Sequence, residues 1–494
     1  MSTFKRVAAG SAAALMLLTG PLSAGPVSAQ PSSAPPSSAP PSSPPAKSAR
    51  PDSQPPPLPA GTTLPPAGTV GTPAPDVDYV RNNKGCIEPN KQGTTVNTRP
   101  YGQLRLNLEQ AHRFATGKGI KVAVIDTGVN KHPRLADRVT AGGDYVGKND
   151  GNGTNDCDGH GTEVAGVIAA AEDSETDFVG AAPESNILAI RQTSDRFEFK
   201  GNATQEARQT AGKIKTLAQA IVTAANADAR VINISLTNCG TPKAFSADDL
   251  TLQAAIKYAV DVKNVVIVTA AGNLSEGQGC SAQNDNPDPN NVKVVASPPW
   301  FADDVLSVAS INESGGVSDF SVWGPWVSIA GPGEGIVTLD PRGTGLTNAN
   351  LNPENGALAP IRGTSFASPY VAGVAALVRE RFPDLNARQV MYRLKATAQH
   401  PGNATGRDNK VGHGMVNPVS ALTAVIPSEK AGATPPKITP LTTQVNPPVQ
   451  KNWKPMVVAL AGTGIGVSML LLTLFVMHTV NRNRGRRPGV ARTG

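Results

Sequence analysis

Gly119-Ile120-Lys121-Val122-Ala123-Val124-Ile125-Asp126-Thr127-Gly128 is an apolar run closed by a carboxylate and a glycine. The run has the length and branched residues of a strand buried on both faces. A carboxylate at the carboxyl end of such a strand stands where open α/β sheets place their chemistry. Taken alone, Asp126 reads as the cap of a turn. Downstream, residues 186–190, 230–235 and 264–269 repeat the strand pattern. Between them, residues 204–228 carry Ile214, Leu217, Ile221 and Ala225 at helical spacing, and residues 247–262 read as a second helix. This alternation predicts an α/β domain over 110–427, a mostly parallel central sheet with helices on both faces. Further short strands are expected at 304–309 and 326–330, and helices at 104–115, 386–398 and 418–425. Residues 137–158 and 275–299, rich in Gly, Asp, Asn and Pro, read as loops.

The ends of the chain carry other signals. Residues 1–29 read as a secretory signal peptide: Lys5 and Arg6, an apolar middle, then Val27-Ser28-Ala29. Residues 30–75, dominated by Pro, Ser and Ala, predict a disordered linker. Residues 76–109 form a short polar extension, expected to pack on the main domain. After a Pro-rich linker at 428–455, residues 456–478 predict a transmembrane helix, since the uncharged stretch reaches about 33 Å at 1.5 Å per residue. The basic tail, 479–494, carries Arg482, Arg484, Arg486, Arg487 and Arg492, which predicts a cytoplasmic C-terminus. The two signals agree on a single-pass protein of the cell membrane with its large domain outside. That tail accounts for five charges of the formal +7, so no nucleic-acid binding is indicated. Four cysteines, Cys86, Cys157, Cys239 and Cys280, lie in the exported part and predict two disulfides, with three connectivities open. No CxxC pair occurs, no metal or cofactor site is evident, and the acid-rich loop at 144–158 reads as solvated.

Three further segments stand out. Gly159-His160-Gly161-Thr162 opens a small-residue helix, and no other histidine has such surroundings. Ala270-Ala271-Gly272-Asn273 ends the strand at 264–269. Gly363-Thr364-Ser365-Phe366-Ala367-Ser368-Pro369 places a serine in the first turn of a buried helix, where free N–H groups suit a developing oxyanion. Its plain reading is a helix cap. Together, Asp126, His160 and Ser365 fall in the order Asp, His, Ser, which among serine-triad solutions belongs to the subtilisin type.

These motifs, with Val231-Ile232-Asn233-Ile234-Ser235-Leu236, resemble those of subtilisin-like serine proteases (peptidase S8 type), and they cover most of the α/β domain. The overall layout is similar to the mycosin subgroup of type VII secretion systems. The resemblance implies a subtilisin-like fold and a serine endopeptidase with Ser365 as nucleophile, His160 as base and acid, Asp126 orienting the histidine, and Asn273 in the oxyanion hole. It implies substrate binding along Ser235 and Leu236, with Ala271 and Gly272 walling the first specificity pocket. It also implies disulfides Cys86–Cys157 and Cys239–Cys280. The implied partners are polypeptide substrates and components of the type VII secretion membrane complex. A second role as a structural subunit of that complex, with proteolysis secondary, fits the same layout. Thr237 replaces a common glycine, and Glu163 and Tyr370 stand where relatives often carry histidine, which bears on specificity.

Overall fold

The protein is described by a computed structural model covering residues 53–83, 85–89, 99–147, 150–200, 214–242, 245–275, 280–351, 357–429 and 454–484. The expected signal peptide, the start of the linker that follows it, residues 430–453 and the tail beyond 484 lie outside these residues. The chain divides into two compact units, 1–424 and 425–494.

The first unit is built on seven parallel strands: β1 (Lys121–Asp126), β2 (Val139–Asp144), β3 (Asn186–Arg191), β4 (Val231–Ile234), β5 (Val266–Ala270), β6 (Leu306–Ile311) and β7 (Ile329–Pro332). Their order across the sheet is β7-β6-β5-β4-β1-β3-β2. Strand β1 therefore sits between β4 and β3, where the direction of winding reverses. In open α/β sheets that point, at the carboxyl ends of the strands, is the ligand crevice. Val122 through Asp126 are fully buried, as a strand covered on both faces requires.

The main helices are α1 (His160–Ala169), α2 (Ile214–Asn226), α3 (Ala247–Lys257), α4 (Thr364–Arg381), α5 (Ala387–Ala396) and α6 (Pro418–Thr423). Helices α1 and α4 are buried almost end to end, which explains their small residues. A Cβ on Gly161 would overlap the carbonyl oxygen of Gly128, and one on Gly373 would collide with Ala181. Helix α3 starts on a capping box, with Ser246 and Asp249 bonding each other's backbone. The pattern at 104–115 is two short helices, Tyr101–Arg105 and Leu108–His112, parted by Asn107 in the left-handed region.

Three expectations are corrected. Residues 139–144 form the edge strand β2, not loop. Its sequence, Val-Thr-Ala-Gly-Gly-Asp, lacks apolar alternation, and a shift of register between Ala141 and Gly143 breaks the pattern further. The loop after it is not simply solvated. Arg191, fully buried, donates from Nε to both oxygens of Asp144 at 3.0 Å and from Nη2 to Asp150 Oδ2 at 2.9 Å, so these carboxylates already hold a cation.

The third concerns residues 53–75, expected to be free linker, which lie against the domain. Gln219 of α2 donates to Gly68 O and Gln253 of α3 to Pro56 O, at 2.9 and 2.8 Å. Pro73 packs where Gly143 has no side chain. A proline-rich chain has little backbone freedom to lose, so a few side-chain bonds to its free carbonyls hold it without a hydrophobic face. Residues Tyr79–Arg81 then pair antiparallel with Phe197–Phe199. Disulfide Cys86–Cys157 fastens the extension beside α1, and Cys239–Cys280 ties the segment after β4 to the long loop that follows β5.

In the second unit, helix Lys454–Arg484 includes an apolar stretch, Met456–Arg482, with mean hydropathy 2.1. It is long and apolar enough to cross a membrane.

Candidate active site

Asp126 ends β1, and His160 opens α1 directly in front of it. His160 Nδ1 lies 2.7 Å from Asp126 Oδ1, which also accepts the N–H of Thr127 at 2.8 Å. Asp126 is wholly buried. Burial of the imidazole works against its charge, but Asp126, aided by Glu163 and Asp156, outweighs this and raises His160 to about 9. The ring of Phe366 meets the imidazole edge-on, 5.3 Å between centroids, and fixes its other side.

A second carboxylate, which the sequence reading did not single out, sets this geometry. Asp156 is fully buried and accepts from Thr127 Oγ1 (2.9 Å), Gly159 N (2.7 Å), Thr162 N (2.9 Å) and Thr162 Oγ1 (2.6 Å). Thr127 Oγ1 in turn accepts the N–H of Gly161 at 2.9 Å. The first turn of α1 is thereby pinned to the end of β1. The Asp-x-Asp-Gly-His spacing was its only trace in the sequence. Replacing Asp156 by alanine strips four bonds to a buried charge, so a loss of at least about 3 kcal/mol is expected at about 1.5–3 kcal/mol per bond. Urea unfolding of the variant beside the parent measures it.

Ser365 lies in the first turn of α4 after Gly363, whose φ is +153°. A Cβ there would stand 2.9 Å from Ser365 Oγ and 3.3 Å from Asn273 Nδ2, so only glycine leaves both groups free. Pro369 cannot donate to the carbonyl of Ser365 four residues back. Ser235 fills that gap: its hydroxyl donates to Ser365 O at 2.9 Å, lies 3.2 Å from Ser368 Oγ, and itself receives Asn233 Nδ2 at 2.7 Å. The side chain of Ser235 is thus committed to the serine's own helix.

Asn273 follows β5. Its Oδ1 accepts from Thr364 N and Thr364 Oγ1, both at 2.9 Å, which turns Nδ2 toward the open side. The unpaired N–H of Ser365 at the helix start is the second donor available there. Two donors beside one hydroxyl are what stabilises a tetrahedral oxyanion.

His160, Ser235, Leu236, Gly272, Asn273 and Ser365 line one cleft of about 740 Å³. Ala271 does not: it is buried, with its N–H bonded to Val308 O. Strand β5 runs one residue further into the sheet than its sequence indicates, which turns Ala271 inward and leaves Ala270 and Gly272 on the cleft.

The subtilase family (peptidase S8) matches residues 117–414. Mycosin-4 of Mycobacterium tuberculosis is 43% identical over 388 residues, 78% of this chain and 81% of the relative. The crystal structure of MycP1 from the ESX-1 type VII secretion system is similar at 42% identity and TM-score 0.67, covering 74% of this chain and 98% of that one. A chain in the structure of an intact ESX-5 inner membrane complex is 37% identical, with TM-score 0.67, covering 87% of this chain and 98% of that one.

Proposed function

The chain belongs to the subtilase family and, within it, to the mycosins, subtilisin-like serine endopeptidases, and on that premise we propose that Ser365, His160 and Asp126 form its catalytic triad. The observation that carries this assignment is the 2.7 Å bond from His160 Nδ1 to the buried Asp126, with Ser365 in the same cleft. Ser365 Oγ attacks the scissile carbonyl while His160 Nε2 takes its proton. The oxyanion sits between Asn273 Nδ2 and Ser365 N–H. His160 then gives the proton to the leaving amine, and water releases the acyl group by the same steps in reverse. Ser235 and Leu236 offer the backbone along which an extended substrate pairs, and Gly272 walls the pocket for the residue before the cut.

The relatives support a setting. A chain 37% identical to this one is part of an ESX-5 inner membrane complex, and one 38% identical is part of that complex's periplasmic assembly. We place this protein accordingly in a type VII secretion complex, held by the helix Lys454–Arg484, with the protease domain periplasmic and the arginine-rich C-terminus cytoplasmic. Occupancy of such a complex also favours a scaffolding role. A Ser365→Ala strain that still secretes, beside a deletion strain that does not, would assign that role to the protein.

A fluorophosphonate probe on the full-length chain in detergent tests the triad. Labelling of the parent and not of Ser365→Ala is the expected result; equal labelling of both overturns the assignment.

The base must be neutral to accept a proton, and the raised His160 keeps its proton to higher pH than a free histidine. The acid limb of kcat/KM is therefore expected above the usual 6.5 of an isolated imidazole. Burial pushes the neighbouring Glu163 up to about 8, with the His160 charge drawing it part of the way back. Both Glu163 oxygens are buried without a hydrogen-bond partner among the described residues. Its ionised form supports the imidazolium, so Glu163→Gln is expected to move the acid limb to lower pH. A pH–rate profile of the two proteins checks the direction.

A further inference from the structure

Two walls face each other beside Ser365: the segment after β4, Ser235 to Asn238, and the segment after β5, Ala270 to Asn273. On the protease reading, the side chain before the scissile bond enters between them. Thr237 crosses that gap. Its hydroxyl donates to Ala270 O at 2.8 Å, joining one wall to the other. Its methyl, Cγ2, lies 3.2 Å from where a Cβ on Gly272 would stand. Behind it, Cys239 Sγ and Cys280 Sγ lie 3.4 and 3.5 Å from the same point, so the disulfide closes the space that the threonine does not. Thr237 is half-buried and lines the cleft, so an incoming side chain meets it directly.

We propose that Thr237, backed by the Cys239–Cys280 disulfide, is a specificity-determining residue that restricts the position before the cut to small, uncharged side chains such as alanine. Two features make the restriction steep. The bridge cannot swing aside without breaking a bond to a strand-end carbonyl, and the disulfide behind it cannot yield as a rotatable side chain would. The methyl and the two sulfurs offer a charged side chain no counter-charge, so Lys, Arg, Asp and Glu would be desolvated there without compensation. A hydrophobic pocket discriminates a methylene only modestly, but a blocked one excludes an aromatic ring on shape.

This inference rests on the protease reading, and the test separates the two. Full-length protein in detergent is treated with two peptidyl phosphonates, identical except for Ala or Phe at the residue before the reactive centre. Inactivation rates are read by loss of fluorophosphonate labelling. The parent is expected to react at least about 100-fold faster with the alanine reagent. In Thr237→Gly the Phe/Ala ratio is expected to rise at least tenfold. Thr237→Ser, which keeps the bridge and loses the methyl, is expected to fall between, and it carries the test if the glycine variant does not fold. A parent that reacts equally with both reagents, or variants with an unchanged ratio, overturns the proposal while leaving the triad standing. A parent that neither reagent nor the fluorophosphonate labels overturns both.

Discussion

Replacing Ser365 by alanine is expected to lower kcat by about 10⁶-fold, the scale of removing the nucleophile from a serine triad. At about 1.4 kcal/mol per tenfold this is roughly 8 kcal/mol of barrier. The size follows from what the hydroxyl does in the cleft. Without it His160 can only activate a water, and nothing near Asn273 holds a water in line with the carbonyl. The oxyanion donors remain, so a residual rate of about 10³–10⁴ over uncatalysed hydrolysis should persist. Because Ser365 and His160 act as one unit, a double Ser365→Ala, His160→Ala variant is expected to lose little more than either alone. Single-turnover cleavage of a fluorogenic peptide measures all three. A Ser365→Ala protein retaining more than a thousandth of the parent rate would mean that another group attacks.

The fold and the reacting groups were legible because each rests on a strong local signal. Strand β1 reads as buried because it has no polar residue between Lys121 and Asp126. His160 and Ser365 each follow a glycine at a helix start, where a side chain would intrude on the site. What was not legible depends on contacts between distant segments. Arg191 gives no sign in the sequence that it will be buried against Asp144, and Val139–Asp144 becomes a strand only because β3 offers it an edge. The proline-rich residues 53–75 look unable to pack, and by apolar area they are; glutamines on α2 and α3 hold them instead. The same limit hid Thr237. Its identity suggested a narrowed cleft, yet its bond to Ala270 and its place against the disulfide belong to tertiary structure.

Asn273→Ala is expected to lower kcat by a factor of 10²–10³, about 2.7–4 kcal/mol, with KM changed far less. The amide proton is aimed at charge that exists only after attack, so its loss is felt in the transition state and not in binding. Asn273 has a second task that the alanine variant also removes. Its Oδ1 accepts both donors of Thr364, next to the nucleophile, and losing them should lower stability by about 1–2 kcal/mol. Thr364→Val separates the tasks. It keeps the Asn273 amide and the Thr364 N–H bond but deletes the hydroxyl that helps to aim it, along with the 3.2 Å acceptor for Gly272 N–H. The structure thus orders the variants: Asn273→Ala loses the donor and its activity falls by hundreds, while Thr364→Val loosens its aim and falls by about tenfold, a 1 Å misplacement being worth up to about 10². Thermal melts run alongside show whether either loss reflects unfolding. If Thr364→Val were as damaging as Asn273→Ala with both proteins folded, placement of the helix start would outweigh the amide proton. A fall below threefold in Asn273→Ala would remove Asn273 from the oxyanion site altogether.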